Sequence, residues 1–488
     1  MSTRTWIMGV PARARTWTSG TAAPWVVLGL MITAYVVAYT YWSLRSHAGF
    51  QTFAFDIGIY DQGVWLLSRF HDPFVTVRGL NLFADHSTFI LFLVAPLYWL
   101  WASPVVLLVT QTLALGLAAI PLYLLTRDLL GSAWLGVAVA AVLLLNPAIG
   151  WTNLENFHPD SYEVLFLTAA LYFMVKQRWG WFLVFIALLL LVKEDVPLLV
   201  IPLGIYIDLR YKAQVGFYLG LAAGVWLVLN FFVIIPHFGE GTSVYWGRLP
   251  FGGPAGLVKT TFTDPSAVLA YLQEPERVSY VVEHLRTLAF LPVLSPFALV
   301  AVGPLALNVL STHGYMHLIN YHYSTLIVPP LIVAAVFTIS RFDSLRMRAK
   351  LVALLVVATL VSAYLLGPLP QSKAPVPPVT VDTPRNEAIQ EAMALLPKDA
   401  IVSAHYSIVP HIAHRRGIYY WPNPFRAENW ADGSKEGERL SVASDVEYVV
   451  VFPDEVSEEY RPIYEDLKAR SQVVFNREGV EVLHIRGP

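Results

Sequence analysis

The sequence contains no cysteine among its 488 residues, and only 14% of its residues are charged. Without cysteine the chain has no disulfide, no thiolate metal site and no cysteine nucleophile. A soluble domain usually carries about a quarter charged residues, so the shortage of charge argues against a water-soluble fold. The formal net charge of −2 argues against a dedicated nucleic-acid surface, because such a surface is strongly basic.

Apolar residues, in contrast, make up 56% of the chain and are gathered in long runs. Residues 25–42, 104–125 and 215–235 each approach or exceed the roughly 20 residues that cross the hydrocarbon of a membrane. The sequence therefore predicts an all-α polytopic membrane protein with about eleven transmembrane helices. Two short apolar stretches, residues 180–192 and 196–209, predict a hairpin whose charged tip lies at the membrane surface.

Basic residues of the short loops predict the orientation of these spans. They all fall on one side of the proposed membrane: Arg127, Lys176, Arg178, Arg210, Lys212 and the basic group within 341–350. The positive-inside rule makes this side cytoplasmic. It also requires residues 285–310, which contain three prolines, to form a broken hairpin. The N-terminal tail, residues 1–23, then lies in the cytoplasm, and residues 45–103 and 237–283 form long outer loops.

The C-terminal part has a different composition. Residues 368–384 contain six prolines and predict a semi-rigid linker after a transmembrane domain of residues 24–367. Residues 385–488 alternate predicted helices (385–396 and 459–471) with apolar strands (400–403, 448–452 and 480–485), which predicts a small extracytoplasmic α/β domain. Because residues 405–416 are basic, we expect this segment to face the membrane part.

Several ionisable residues lie on the predicted outer side, close to apolar segments. They are Asp56 and Asp61, Asp85 and His86, Glu155 and His158, Lys193 to Asp195, and His317 and His322. A charge inside the membrane costs at least about 2.5 kcal/mol, so such groups are functional candidates. Other interpretations stay open: Asp56, Asp85 and Asp160 are also placed to cap helices. Residues 193–195 would form a self-neutralised surface turn, and residues 313–323 an interfacial aromatic belt.

The order and spacing of these residues resemble a known family. The matching features are Phe55 to Gln62, Asp85-His86, Asn146-Pro147, Phe157 to Asp160 and Lys193 to Asp195. Together they resemble the predicted membrane proteins known as a domain of unknown function (DUF2079), over residues 50–480. Glu155-Asn156 departs from this pattern, in which an apolar residue or an aspartate is expected. The layout, with an acidic residue soon after the first helix, is similar to that of GT-C glycosyltransferases.

This resemblance implies a fold and an activity. GT-C enzymes move a sugar from a polyprenyl-phosphate carrier to an acceptor at the outer membrane face. The implied catalytic residues are Asp56 as base, with Asp85, His86 and Glu194. Implied substrate-binding residues are Lys193, Arg277 and Arg286 for phosphate, with Asp61, Glu155, His158, Asp195, His317 and His322.

The implied location is the plasma membrane, and the expected partners are membrane lipid, a polyprenyl-phosphate-linked sugar and an envelope protein or glycan acceptor. The sequence has no Asp-Asp pair that would force a metal site, so a divalent cofactor stays open. Two other functions also stay open. A scaffold or complex subunit would keep a degenerate GT-C fold without activity, and a transporter would use ionisable residues near membrane depth. We find no internal repeat of the kind that many transporters show.

Overall fold

The structure is a computed structural model that describes residues 22–239 and 245–485, without the side chain of Trp246. Almost all of the predicted N-terminal tail, including Arg4, Arg13 and Arg15, lies outside the described residues. Most of the described chain is helical. The helices of at least eight residues are α1 (Ala23–Ala48), α2 (Ile59–Ser68), α3 (Pro104–Leu117), α4 (Ala119–Leu130), α5 (Ala133–Leu144), α6 (Pro147–Leu154), α7 (Ser161–Val175), α8 (Trp179–Leu190), α9 (Pro197–Tyr211), α10 (Val215–Leu229), α11 (Pro254–Thr263), α12 (Pro265–Leu272), α13 (Pro275–Thr287), α14 (Val302–Leu310), α15 (Val328–Ser340), α16 (Leu345–Leu366), α17 (Pro384–Ala394) and α18 (Arg461–Arg470).

Five helical segments of the described chain are long and apolar enough to cross a membrane: Ala23–Ala48, Pro104–Leu130, Val215–Phe238, His322–Ser340 and Leu345–Leu366. The pair α5 and α6 becomes a sixth if the 49° bend between them is counted within one span. The bend falls where the Asn146 side chain accepts a hydrogen bond from the Ala148 amide and Pro147 starts a new helix. Shorter apolar helices, among them α7 and α8, accompany these spans. The predicted count of about eleven is therefore not confirmed by helix length.

Burial separates peripheral from central spans. In the most apolar 18-residue stretch of α1, and likewise of α16, 22% of the residues are buried in the protein. The corresponding fraction in His322–Ser340, which contains α15, is 94%. Apolar side chains such as Leu30 and Val37 of α1 remain exposed. Because exposed apolar surface of this extent is stable in lipid and not in water, α1 and α16 have the surface of lipid-facing helices, and α15 lies in the interior.

Both predicted irregular regions of the membrane part are present. The apolar helices α8 and α9 are joined by a short connection that carries Lys193, Glu194 and Asp195. Between α13 and α14 the chain forms two short turns, Leu291–Leu294 and Pro296–Ala301, each with a proline in its first turn. Residues 285–310 are therefore not one continuous helix, because proline lacks the amide that helix continuation needs.

The C-terminal part is a small α/β domain, as predicted. A short hairpin earlier in the chain supplies β1 (Phe74–Val75) and β2 (Leu80–Asn81), and the C-terminal strands are β3 (Val402–Ala404), β4 (Ile418–Tyr420), β5 (Tyr448–Val451), β6 (Ser471–Arg477) and β7 (Val480–Ile485). The sheet has the order β4-β3-β5-β7-β6. Strands β3, β4 and β5 are parallel, and β7 pairs antiparallel with β5 and β6.

Two strands of the C-terminal sheet were not predicted. Strand β4 has only three residues, too few for a periodic pattern. Strand β6 begins at Ser471, directly after α18. Ser471 was the last residue of the predicted helix 459–471. Pairing with β7, to which β6 is joined through Glu478 and Gly479, fixes this edge strand rather than local preference alone.

The C-terminal domain packs on the loops that follow α1. The Ala54 amide donates to the Tyr406 carbonyl at 2.9 Å, and the Gln62 side chain donates to the Arg415 carbonyl at 3.1 Å. Buried Asp61 accepts a hydrogen bond from Tyr98 at 2.6 Å and lies 3.0 Å from His414 Nε2. The prediction that residues 405–416 face the membrane part is thus confirmed.

Candidate active site

Asp56 lies in an irregular segment between α1 and α2. Its backbone has φ 67° and ψ −97°, and its side chain makes no capping hydrogen bond to the helix that follows. The alternative that Asp56 is a simple helix cap is therefore wrong. Positive φ is uncommon for a residue other than glycine, and such strained residues gather at functional sites.

Asp56 lies at the wall of a cavity of about 750 Å³ between the membrane part and the C-terminal domain. The volume is in the range of small-molecule sites. Nine of the thirteen predicted site residues line it: Asp56, Asp85, His86, Glu155, His158, Lys193, Glu194, Asp195 and His322. They come from five separate connections of the chain, so the tertiary fold brings together the groups that the sequence singled out.

The residues of the α8–α9 connection find partners in other loops. Glu194 Oε1 lies 2.7 Å from His86 Nδ1, and Lys193 donates to Asp160 at 2.9 Å. The alternative of a self-neutralised turn at residues 193–195 is therefore wrong. Asp160 stands at the start of α7, but its side chain accepts no hydrogen bond from the helix amides.

The electrostatics of these pairs follow from burial and proximity. Burial raises the pKa of Glu194, but the His86 charge and hydrogen bond outweigh burial and lower it to about 2. Burial lowers the pKa of His86, whereas the Glu194 carboxylate raises it, and the net pKa is raised. Glu194 is thus charged at neutral pH, and its carboxylate favours the charged form of His86. The pKa of Asp195 is raised to about 6, because burial outweighs the attraction of Lys193.

Asp85 and His86 do not pair with each other. The Tyr245 hydroxyl donates to Asp85 Oδ1, and the Arg78 guanidinium lies 3.7 Å from the same oxygen. Asp85 is the last residue of a single helical turn and not the cap of the next helix. Asp85 and His86 thus have different partners, although they are neighbours along the chain.

A second group of ionisable residues surrounds His158. Its Nε2 lies 3.2 Å from Asp56 Oδ1, and its ring stacks on that of His322 at 3.6 Å between centroids. Glu155 Oε2 accepts from the His322 amide at 2.7 Å and lies 3.1 Å from His322 Nδ1. Burial lowers the pKa of His158, but Asp56 and Glu155 outweigh burial and raise it to about 9. Burial, with the Asp56 charge, raises the pKa of Glu155 to about 8, although His158 opposes the shift.

Four predicted site residues do not line the cavity. Asp61 is buried beneath the C-terminal domain, and Arg286 lies on α13. Arg277 binds Glu274 and the backbone carbonyls of Val309 and Ser311. His317 lies 3.7 Å from Glu276 on the same helix as the two arginines. The contacts of Asp61, Arg277 and His317 hold loops and helices together.

Sequence reasoning missed other residues that line the cavity. Arg78, Tyr245, Arg248 and Tyr406 lie at its wall. The Arg248 guanidinium lies 4.2 Å from the centre of the Tyr245 ring. These residues fall in long connections without periodicity. An arginine and a tyrosine within a loop rich in glycine and proline were the available signals, and they are weak ones.

The remaining wall is apolar. Leu227 and Val228 of α10, Phe231 and Phe232 just beyond α10, and Leu307 of α14 line this side. The segment Val215–Phe238 is one of the long apolar spans, and a low fraction of it is buried in the protein. The cavity therefore joins an apolar wall at membrane depth to a polar end beneath the C-terminal domain.

These features define a polytopic membrane protein with an ionisable cavity beneath a small C-terminal domain. The chain belongs to the family described as predicted membrane protein (DUF2079), whose model matches residues 46–472. No curated protein matches the sequence.

Among solved structures, ArnT from Cupriavidus metallidurans in the apo state is similar, with a TM-score of 0.50, 15% identity, and coverage of 95% of this chain and 98% of ArnT. The apo oligosaccharyltransferase of Archaeoglobus fulgidus gives a TM-score of 0.47 at 12% identity, with coverage of 92% and 73%. The oligosaccharyltransferase AglB of the same organism, in complex with an inhibitory peptide and a dolichol-phosphate, gives 0.44 at 13% identity, with the same coverage. The likeness to ArnT extends over nearly the whole of both chains and concerns the fold.

Proposed function

We propose that this chain is a membrane glycosyltransferase that moves a sugar from a polyprenyl-phosphate donor to an acceptor. The observation that carries the proposal is the composition of the cavity wall. A lipid-linked donor needs an apolar surface for its chain next to polar groups for its phosphate and sugar. The cavity offers Leu227 and Val228 on one side and Asp56 on the other.

Arg248 is the best-placed ligand for the donor phosphate. The Lys193 ammonium is already balanced by Asp160 at 2.9 Å, whereas the described part of the chain gives Arg248 no ion-pair partner. Arg248 lines the cavity. An arginine offers several N–H donors to a phosphate and can balance the charge that develops there.

Asp56 is the proposed base. In the reaction, Asp56 takes the proton of an acceptor hydroxyl or amine while that acceptor atom bonds to the anomeric carbon of the sugar. The bond between that carbon and the phosphate oxygen breaks, and polyprenyl phosphate leaves with the electron pair. Arg248, with Lys193 nearby, stabilises the departing phosphate. Tyr406 and Asn429 of the C-terminal domain border the cavity, where they are placed to contact the acceptor.

The proposal includes the location of the protein. The membrane domain is residues 24–367 and the C-terminal domain residues 385–488, joined by a linker at 368–384. In the plasma membrane the cavity and the C-terminal domain would face outward. Membrane lipid and an envelope glycan or protein are then the partners.

Transfer assays with an Asp56→Asn variant test the proposal. The purified protein is reconstituted in liposomes with polyprenyl-monophosphate donors that carry radiolabelled sugars, and loss of label from the lipid is measured. Asparagine keeps the shape of Asp56 and tolerates positive φ, so folding is retained.

We expect at least about a hundredfold loss of transfer, because a general base contributes that much. Asp72→Asn is the matched control and should retain full transfer, because Asp72 is exposed, follows α2 and does not line the cavity. Full activity of Asp56→Asn would refute the role of Asp56 as the base. If the wild type transferred no sugar from any donor, the alternative of a scaffold without activity would be favoured.

A further inference from the structure

Glu155, His158 and His322 bring three potential metal ligands together at the cavity wall. One side-chain donor atom from each lies within 4.8 Å of the other two. They come from two connections of the chain, since Glu155 and His158 lie between α6 and α7 and His322 lies more than 160 residues further on. Two imidazoles and one carboxylate form a ligand set found in catalytic zinc sites, where a fourth position stays open.

His158 is the least satisfied member of the group. The side chain is 2% exposed, and neither ring nitrogen has a hydrogen-bond partner. Its Nε2 lies near Asp56 Oδ1 but does not meet hydrogen-bond geometry. A buried polar group without a partner costs free energy, and a metal ion that takes a lone pair from the imidazole removes that cost.

The backbone around the ligands is held in place. Asn156, between the first two ligands, has φ 50°, and its side chain accepts from the Phe53 amide at 3.1 Å. Gln111 accepts from the His158 amide at 3.1 Å and donates to the Asn156 carbonyl at 2.6 Å. Glu155 is fixed by the His322 amide. Such supporting hydrogen bonds orient the ligands of metal sites.

One rearrangement is required. An imidazole lone pair lies in the plane of its ring, and the rings of His158 and His322 are stacked with 16° between their planes. One ring must therefore turn for both nitrogens to point at one ion. The turn falls to His158, because neither of its ring nitrogens makes a hydrogen bond to the described residues, and the turn gives up the 3.2 Å ion pair with Asp56. Ligand atoms of a tetrahedral zinc ion lie about 3.4 Å apart, so the movement is small.

We propose that Glu155, His158 and His322 bind one divalent transition-metal ion, with Zn²⁺ the best match, beside Asp56. Imidazole nitrogens favour zinc and its neighbours, whereas Mg²⁺ and Ca²⁺ prefer all-oxygen sites. The inference adds a cofactor to the proposed transferase site and rests on that proposal for its catalytic meaning. Asp56 remains the base, and the ion would supply a positive charge for an oxygen of the substrate.

The first test is metal binding by the full chain in detergent, without any sugar donor. After treatment with a chelator, the wild type is titrated with Zn²⁺ and, separately, with Co²⁺, whose visible absorption reports nitrogen and oxygen ligands. We expect about one ion per chain and an increase in the thermal unfolding midpoint on addition of Zn²⁺. Absence of a stoichiometric Zn²⁺ or Co²⁺ site in the wild type would overturn the proposal.

Variants locate the site. Glu155→Gln, His158→Gln and His322→Gln should each weaken Zn²⁺ binding by at least about tenfold, since even loss of a supporting partner costs that much. His313→Gln is the matched control, because His313 lines the same cavity but lies outside the group. Equal affinity in all four variants would contradict the assignment.

Because binding is measured without a donor, a failure of this test leaves glycosyl transfer open. A metal-loaded protein that transfers no sugar would instead contradict the proposed function alone.

Discussion

Asp56 combines a reactive carboxylate with a backbone conformation that is unfavourable for residues with a side chain. Its φ of 67° places the Cβ atom where L residues have a steric conflict. The surrounding contacts maintain this conformation, among them the hydrogen bond from the Ala54 amide to Tyr406 of the C-terminal domain. A strained residue of this kind stores free energy that a different residue would release.

Replacement of Asp56 by glycine or alanine should separate strain from charge. Both variants lose the carboxylate, but only glycine relieves the steric conflict at positive φ. We expect Asp56→Gly to be more stable than Asp56→Ala by about 1–2 kcal/mol, as measured by chemical unfolding in detergent. The same pair of substitutions at Lys350, an exposed residue of α16, should show the opposite order, since alanine is the better helix former. An Asp56→Ala variant as stable as Asp56→Gly would mean that the backbone at Asp56 is not strained.

The ion pair of Glu194 with His86 predicts a dependence of stability on pH. The pKa of Glu194 is lowered from 4.5 to about 2 in the folded protein. A lowered carboxylate pKa stabilises the fold above pH 4.5, and this contribution, roughly 3 kcal/mol, is lost as the pH falls toward 2. The pKa of His86 is raised, so its contribution is complete below its unfolded pKa and is lost as the pH rises through the folded value.

Glu194→Gln tests this prediction. At neutral pH the variant should be less stable than the wild type, because it leaves the buried His86 without its charged partner. The difference in unfolding midpoint should shrink between pH 4.5 and pH 3, as measured by tryptophan fluorescence. A difference that stays constant over this range would show that the pair does not control the pH dependence.

At the level of elements, the α9–α10 hairpin carries two features of the site. The connection before α9 presents Lys193 and Glu194, and α10 leads into the apolar wall. The two helices approach closely at glycines: a Cβ atom on Gly204 would lie 2.5 Å from the Gly216 carbonyl oxygen, and one on Gly216 would lie 2.3 Å from the Gly204 oxygen. Small residues permit this packing between apolar helices.

Gly204→Ala should separate α9 from α10. The added methyl group meets backbone rather than a flexible side chain, so we expect a loss of about 1–3 kcal/mol in stability and weaker transfer through a displaced cavity wall. Gly224→Ala is the matched control on α10, because a Cβ atom there meets nothing within 4 Å. It should be neutral or slightly stabilising, since alanine favours helix. Equal unfolding curves for the two variants would contradict the close packing.

At the level of the whole molecule, the charges divide between two ends. The cavity end carries the mixed acidic and histidine groups. Basic residues from different loops contact the C-terminal end of α4. Lys176 Nζ lies 2.8 Å from Asp128 Oδ2, and Arg348 donates to the Leu130 carbonyl at 3.0 Å. These residues belong to the loops predicted to be cytoplasmic, and the fold brings them to one end.

Reporter fusions test the proposed orientation. A phosphatase that is active only outside the cytoplasm should be active when fused after Gly367, which ends α16. It should be inactive after Gly131, which ends α4 next to the basic group. The positive-inside rule is the physical basis. The reverse result would place the cavity in the cytoplasm and exclude an outer-face reaction.

The sequence by itself determined the membrane class, the presence of a C-terminal α/β domain and most of the acidic, basic and histidine residues that line the cavity. Composition and apolar runs suffice for the first, because hydrocarbon accepts only segments whose backbone is satisfied locally. For the same reason the bounds of α7, Ser161–Val175, match the apolar run. Ionisable residues next to such runs are rare enough to be noticed in a single sequence.

Only the tertiary structure decided which groups meet. His86 pairs with Glu194 rather than with its neighbour Asp85, Lys193 with Asp160, and Glu155 with His322, which is 167 residues away. Strands β4 and β6, and the cavity residues Arg248 and Tyr406, also escaped prediction. Periodicity reports how a segment satisfies its own backbone and which face it buries. It carries no information on which distant loop supplies the partner of a buried charge, since that depends on how the helices pack.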